Sequence, residues 1–158
     1  MTKYARPAVV VLLPVLVSLV TLGCGGTTPM DPELTCDTSA PAVTLTGGVQ
    51  AVFDAKCKSC HGSGYTYGDY SDADRTFAAT TNKVSYLAGP AAKLKVVDGN
   101  ARSLANSSLW LKVLGGDAAN RKGPNGEKTL GAMPNDGTVL TAEQKKLLKD
   151  WICSGGAR

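Results

Sequence analysis

Histidine is almost missing from this chain of 158 residues: His61 is the only one. That count excludes His-rich metal centres and every catalytic arrangement that needs two imidazoles, so any imidazole chemistry passes through His61. Bulky apolar side chains are also scarce, with 2 Phe, 2 Trp and 3 Met, which makes for a thin core. Charged residues are only 19% and hydrophobic ones 43%. These shares fit neither a disordered charged tail nor a polytopic membrane protein. No long alternation of polar and apolar residues occurs, and no internal repeat. The expected fold is therefore a small all-α domain of about three to five helices with long connections.

The apolar run from Ala8 to Gly23 is broken by Pro14, and at roughly 16 residues it is shorter than the ~20 that span a bilayer comfortably. Lys3 and Arg6 precede it, so residues 1–23 read as an export signal. The following stretch, Thr21-Leu22-Gly23-Cys24, resembles a bacterial lipobox, in which a small residue precedes a cysteine that is lipidated and becomes the new N-terminus. The resemblance implies a lipid on Cys24 and a place in the bacterial cell envelope, periplasmic or on the outer surface. Buried acyl methylenes at about 0.8 kcal/mol each would hold the protein to a membrane. The alternative is a secreted protein in which Cys24 is removed or left free. Cleavage would take away Lys3 and Arg6 and leave all 13 acidic residues, too weak and scattered a charge for binding nucleic acid. Lys145, Lys146 and Lys149 read as a solvated helix face.

Residues 24–46, rich in Gly, Thr and Pro, are expected to form a lipidated N-terminus and flexible tether, with 47–156 as the folded domain. The apolar spacing of Val49, Val52 and Phe53 predicts a short helix over Val49–Lys56 that leads into Cys57. Much of Gly62 to Asn106 reads as loop, with a helical piece near Val84–Ala88 stopped by Gly89-Pro90. Asn106-Ser107-Ser108 offers caps for a helix through Leu109, Trp110, Val113 and Leu114, closed by Gly115-Gly116. A turn-rich stretch from Asp117 to Gly137 follows. Thr141 and Gln144 then form a capping box, Leu147, Leu148, Trp151 and Ile152 share one apolar face, and Gly155-Gly156 ends that helix.

The chemistry concentrates in Cys57-Lys58-Ser59-Cys60-His61, the C-x-x-C-H signature of c-type haem attachment. Two thiols at this spacing can add to the two vinyl groups of one porphyrin, and the next residue is placed to ligate the iron. Other readings of the same residues carry less. A thioredoxin-type C-x-x-C belongs in a βαβ setting that this chain lacks. A structural zinc would need a fourth ligand from Cys36 or Cys153, with Cys60 and His61 adjacent and poorly arranged for one tetrahedral ion. A disulfide between Cys57 and Cys60 would constrain almost nothing. If haem is bound, its far face cannot take a second histidine. Met1 falls in the signal and Met30 in the tether, which leaves Met133 as the second axial ligand. The plain alternative for Met133 is a gap-filling core residue.

Taken together these residues resemble a monohaem class I cytochrome c. They are a helix carrying Phe53 just before Cys57-x-x-Cys60-His61-Gly62, Met133-Pro134, and a C-terminal helix carrying Trp151. The resemblance covers approximately residues 47 to 156. It implies one covalent haem c, thioethers at Cys57 and Cys60, His61 and Met133 on the iron, and first and last helices crossed at one edge of the ring. It also implies a monomer that passes single electrons between redox partner proteins and is not an enzyme. A haem enzyme or gas sensor with a labile Met133, and a haem-free structural or redox-thiol lipoprotein, are the competing readings. Many class I members orient the proximal imidazole with the carbonyl of a proline soon after the motif. Here the first such proline is Pro90, although a backbone carbonyl is still expected to hold the His61 ring. Tyr65, Tyr67, Tyr70 and Tyr86 either wrap a propionate edge or decorate a loop. Cys36 and Cys153 bracket the domain, so an intramolecular disulfide between them is expected in an exported protein. Two free thiols, or a bridge between molecules through Cys36, are the alternatives.

Overall fold

The computed structural model describes residues 32–85, 94–115 and 131–158. The export signal, Cys24, Tyr86, Gly89-Pro90 and the turn-rich stretch over 116–130 lie outside the described residues. Among those described there are four α-helices and no strand: α1 (Gln50–Lys56), α2 (Ala73–Thr80), α3 (Ser108–Leu114) and α4 (Ala142–Cys153).

α1 begins where the apolar spacing places it, but a wide turn over Leu45–Val49 precedes it. The turn exists because Gly48 takes φ +122°, which side-chain-bearing residues rarely adopt, and Thr44 caps it by accepting from Gly47 N. Leu45 and Val49 are fully buried there. α4 carries both halves of the expected capping box: Gln144 N donates to Thr141 Oγ1 at 3.2 Å, and Thr141 N to Gln144 Oε1 at 3.0 Å. Leu148, Trp151 and Ile152 are its buried face, with Leu147 packed at the margin. Lys146 lies on the outer face, paired with Asp150 at 2.5 Å.

Two segments differ from the sequence expectation. α2 falls in the stretch read as loop, because its fully buried residues are Thr76 and Thr80, and Phe77 is the one large apolar side chain it packs, half-buried, against the core. Thr80 Oγ1 donates to the Thr76 carbonyl at 2.6 Å, which satisfies its hydroxyl inside the fold. The start of the expected Val84–Ala88 helix is instead extended: Val84 bridges Lys95, and Ser85 N donates to Leu94 O at 2.9 Å. The rest of that piece lies outside the described residues. α3 forms as expected and ends at Gly115 (φ +71°), but Ser107 does not cap it. The Ser107 hydroxyl accepts from Asp98 N and donates to Ser103 O, tying the preceding turn together.

One core joins α1, α3 and α4. Phe53 of α1 meets Trp151 of α4 edge to face, with ring centroids 5.9 Å apart, and Leu109, Trp110 and Val113 of α3 belong to the same cluster. Residues 32–46, expected within the tether, are fastened to this body. Trp110 Nε1 donates to Glu33 O at 2.7 Å and Val43 N to Ser154 Oγ at 2.9 Å. Cys36 and Cys153 form a disulfide with Cα atoms 5.4 Å apart.

Candidate functional site

α1 runs straight into the cysteine motif. Cys57 N and Lys58 N both donate to Phe53 O, and His61 N then donates to Cys57 O at 2.8 Å, so the motif winds one further α-type turn. Cys57 and Cys60 are free thiols, the first half-buried and the second exposed. Burial, reinforced by the neighbouring Cys60, pushes the Cys57 thiol up to about 11. That shift is opposite to the one that makes a C-x-x-C pair reactive in thiol exchange.

The His61 ring is held on two sides. Its Nδ1 lies 3.3 Å from the Gly68 carbonyl oxygen. A carbonyl only accepts, so this contact selects the tautomer protonated at Nδ1 and leaves the lone pair on Nε2. Tyr70 stacks on the imidazole at 4.8 Å with 18° between planes, and Tyr65 meets it edge-on at 4.8 Å. Burial lowers the His61 pKa, opposed by the Gly68 bond and reinforced by the Lys112 charge. Tyr70 continues into the core, 5.0 Å from Phe53. An aromatic column therefore runs from His61 through Tyr70 and Phe53 to Trp151.

The loop that supplies Gly68 is a string of turns. Tyr65 N donates to Gly62 O, Gly68 N to Tyr65 O, and Tyr70 N returns to His61 O at 2.8 Å. Gly68 has φ +131°, and a Cβ placed there would lie 2.9 Å from the Tyr70 ring. Only glycine puts its carbonyl on His61 with Tyr70 behind it. Hydrogen bonds from Ser71, then the Arg75 guanidinium, hold the Asp69 carboxyl below its usual pKa.

These groups open onto a cavity of about 590 Å³, within the range of small-molecule and cofactor sites. Its walls come from the cysteine motif, the tyrosine loop, α3 and the 131–140 loop, with Leu109, Val113 and Leu140 among its apolar lining. Met133 lines it too, half-buried, its position fixed by Met133 N donating to Lys112 O at 3.0 Å. Cys57, Cys60, His61 and Met133, 76 residues apart from first to last in the sequence, thus border one cavity. Lys112 borders it as well, and burial lowers its pKa. No family model matches the chain, and neither a curated protein nor a solved structure matches it.

Among the described residues no group of three or more His, Cys, Asp and Glu side chains is gathered to hold a bare metal ion. The donor set instead suits a flat group carrying its own iron: two thiols on one turn, an imidazole with a free Nε2, a thioether, and apolar walls between them. Of the tyrosines, Tyr65, Tyr67 and Tyr70 line the cavity and Tyr86 lies outside the described residues. Sequence reasoning missed Gly68 as the carbonyl that faces His61, and missed Lys112. Gly68 carried a faint signal, as one of several glycines in a tyrosine-rich loop directly after the motif.

Proposed function

We propose that this protein is an exported, lipid-anchored c-type cytochrome of the monohaem class I kind, carrying single electrons between redox partner proteins in the bacterial cell envelope. The observation that carries this reading is the shared cavity, with free Cys57 and Cys60, a His61 ring turned so that Nε2 is unprotonated, and Met133 all on its walls. When bound, the haem would supply reversible one-electron chemistry at its iron. The chain's own residues have the remaining tasks. Cys57 and Cys60 would anchor the group covalently, which keeps it in place through every redox cycle. Gly68 O fixes the proton of His61 on Nδ1, which leaves Nε2 as the atom that would hold the iron. Met133 would offer a soft thioether, which favours the reduced iron and raises the potential. Leu109, Val113 and Leu140, which line the cavity, would keep water from the group.

The Cys36–Cys153 disulfide supports an oxidising compartment, in keeping with the export signal read from residues 1–23. Cys24 would carry the lipid, with no nucleic acid among the partners and the protein acting as a monomer. No helix among the described residues is long and apolar enough to cross a membrane. The test is a visible spectrum of protein exported from a host with haem c maturation machinery. The wild type is expected to be low-spin with a methionine-to-iron charge-transfer band. Met133→Ala should keep the haem, lose that band and bind carbon monoxide. A wild type that is already high-spin and binds carbon monoxide readily would favour a haem enzyme or gas sensor instead.

A further inference from the structure

Arg75, in the first turn of α2, reaches both arms of the loop that faces His61. Its Nη1 donates to Ser63 Oγ at 2.9 Å and to Asp69 Oδ2 at 3.1 Å, with Ser71 Oγ at 3.4 Å. Its Nε pairs with Asp72 Oδ2 at 3.4 Å, while Asp72 caps the same helix by accepting from Arg75 N at 2.9 Å. Ser63 lies two residues after His61, and Asp69 directly follows Gly68. The guanidinium therefore closes the loop across the stretch that aims the Gly68 carbonyl. Tyr70, behind that carbonyl, is held from α1, where Gln50 Nε2 donates to Tyr70 O at 3.3 Å. Nη1 bridges Ser63 and Asp69 while Nε holds Asp72; lysine has one nitrogen on a side chain one bond shorter and cannot fill both places at once.

We propose that Arg75 is a positioning residue for the proximal ligand: by bracing Ser63 against Asp69 it holds the Gly68 carbonyl on His61 Nδ1 and so sets how strongly His61 donates to the iron. The proposal rests on the haem reading above. The Arg75 side chain is half-exposed and its ion pairs are of the surface kind, so removing them costs the global fold little. Their effect is local and falls on the imidazole. A firm hydrogen bond at Nδ1 makes the ring a stronger donor and favours oxidised iron, so a slack bond raises the reduction potential. Loss of a nearby positive charge acts the other way and lowers it. The sign of the shift therefore separates positioning from plain charge.

The experiment compares wild type, Arg75→Lys and Ser63→Ala as haem-bearing proteins from the same maturation-competent host. It reads the reduction potential and the hydrogen–deuterium exchange of the His61 Nδ1 proton by NMR in the reduced state. Arg75→Lys, which keeps the charge and breaks the brace, is expected to raise the potential and speed that exchange at least tenfold. Ser63→Ala, a neutral change at an exposed side chain, should move both in the same direction by less, and it tests the brace even if Arg75→Lys fails to accumulate. Haem-bearing variants whose potential and exchange match wild type would overturn the proposal alone. A wild type without covalent haem would overturn the haem reading, and the proposal with it.

Discussion

At the scale of single residues, Gly68 shows how much a site can depend on a position with no side chain. Its φ of +131° and the Tyr70 ring 2.9 Å from a would-be Cβ leave no low-energy place for alanine. Gly68→Ala should therefore destabilise the folded protein by about 1–3 kcal/mol, measured by denaturant unfolding. It should also displace Tyr70 from the His61 ring. An unchanged midpoint with an unchanged His61 environment would show that the loop has another way to present its carbonyl. The residues named in the motif were legible because their chemistry lies in type and spacing: two thiols and an imidazole in five positions need no tertiary information. Met133, which lies on the cavity wall, was singled out by elimination, since the chain has only three methionines. Gly68 and Arg75 were not, because what they do depends on where a loop closes in space.

At the scale of elements, α1 and α4 were legible because each carries its own signals. α1 has apolar residues at helical spacing, and α4 has a capping box, an apolar stripe and terminal glycines. Breaking one of those signals should be measurable. Thr141→Ala removes the acceptor for Gln144 N and is expected to cost about 1 kcal/mol, read as a lower unfolding midpoint with the fold retained. α2 was hidden because its fully buried residues are threonines, with Ala73, Phe77 and Ala79 only partly buried beside them. A local cue was Asp72, whose carboxylate accepts from Arg75 N, and beside so slight an apolar stripe that cue reads equally well as a turn. The extended start at Val84–Ser85 was missed for a related reason: it forms one isolated bridge with Lys95, a non-local pairing that leaves no alternation in the sequence. The aromatic contact between Phe53 and Trp151 is worth roughly 0.5–1.5 kcal/mol beyond its buried area, and it links the two legible helices directly beneath the site.

At the scale of the whole molecule, the core and the candidate site are continuous. The column from Trp151 through Phe53 and Tyr70 ends on His61, so the packing that defines the fold also presents the imidazole. The Cys36–Cys153 disulfide fastens the segment before α1 to the end of α4 across 117 positions. In the chain-entropy picture a loop of that length gives about 4–5 kcal/mol, and strain in the folded state reduces this. The Cys36→Ser, Cys153→Ser double variant should accordingly lose about 2–5 kcal/mol of stability, while the haem spectrum is kept wherever the protein remains folded. Equal denaturant midpoints for the two proteins would show that hydrogen bonds such as Val43 N to Ser154 Oγ fasten that segment by themselves. The central claim is that one haem is joined to Cys57 and Cys60, and intact-mass spectrometry tests it most directly. Protein exported from a maturation-competent host should be heavier by the mass of one haem, with no free thiol at either position, and the Cys57→Ala, Cys60→Ala variant should lack that gain. A wild-type mass without haem, with both thiols open to alkylation, would contradict the account.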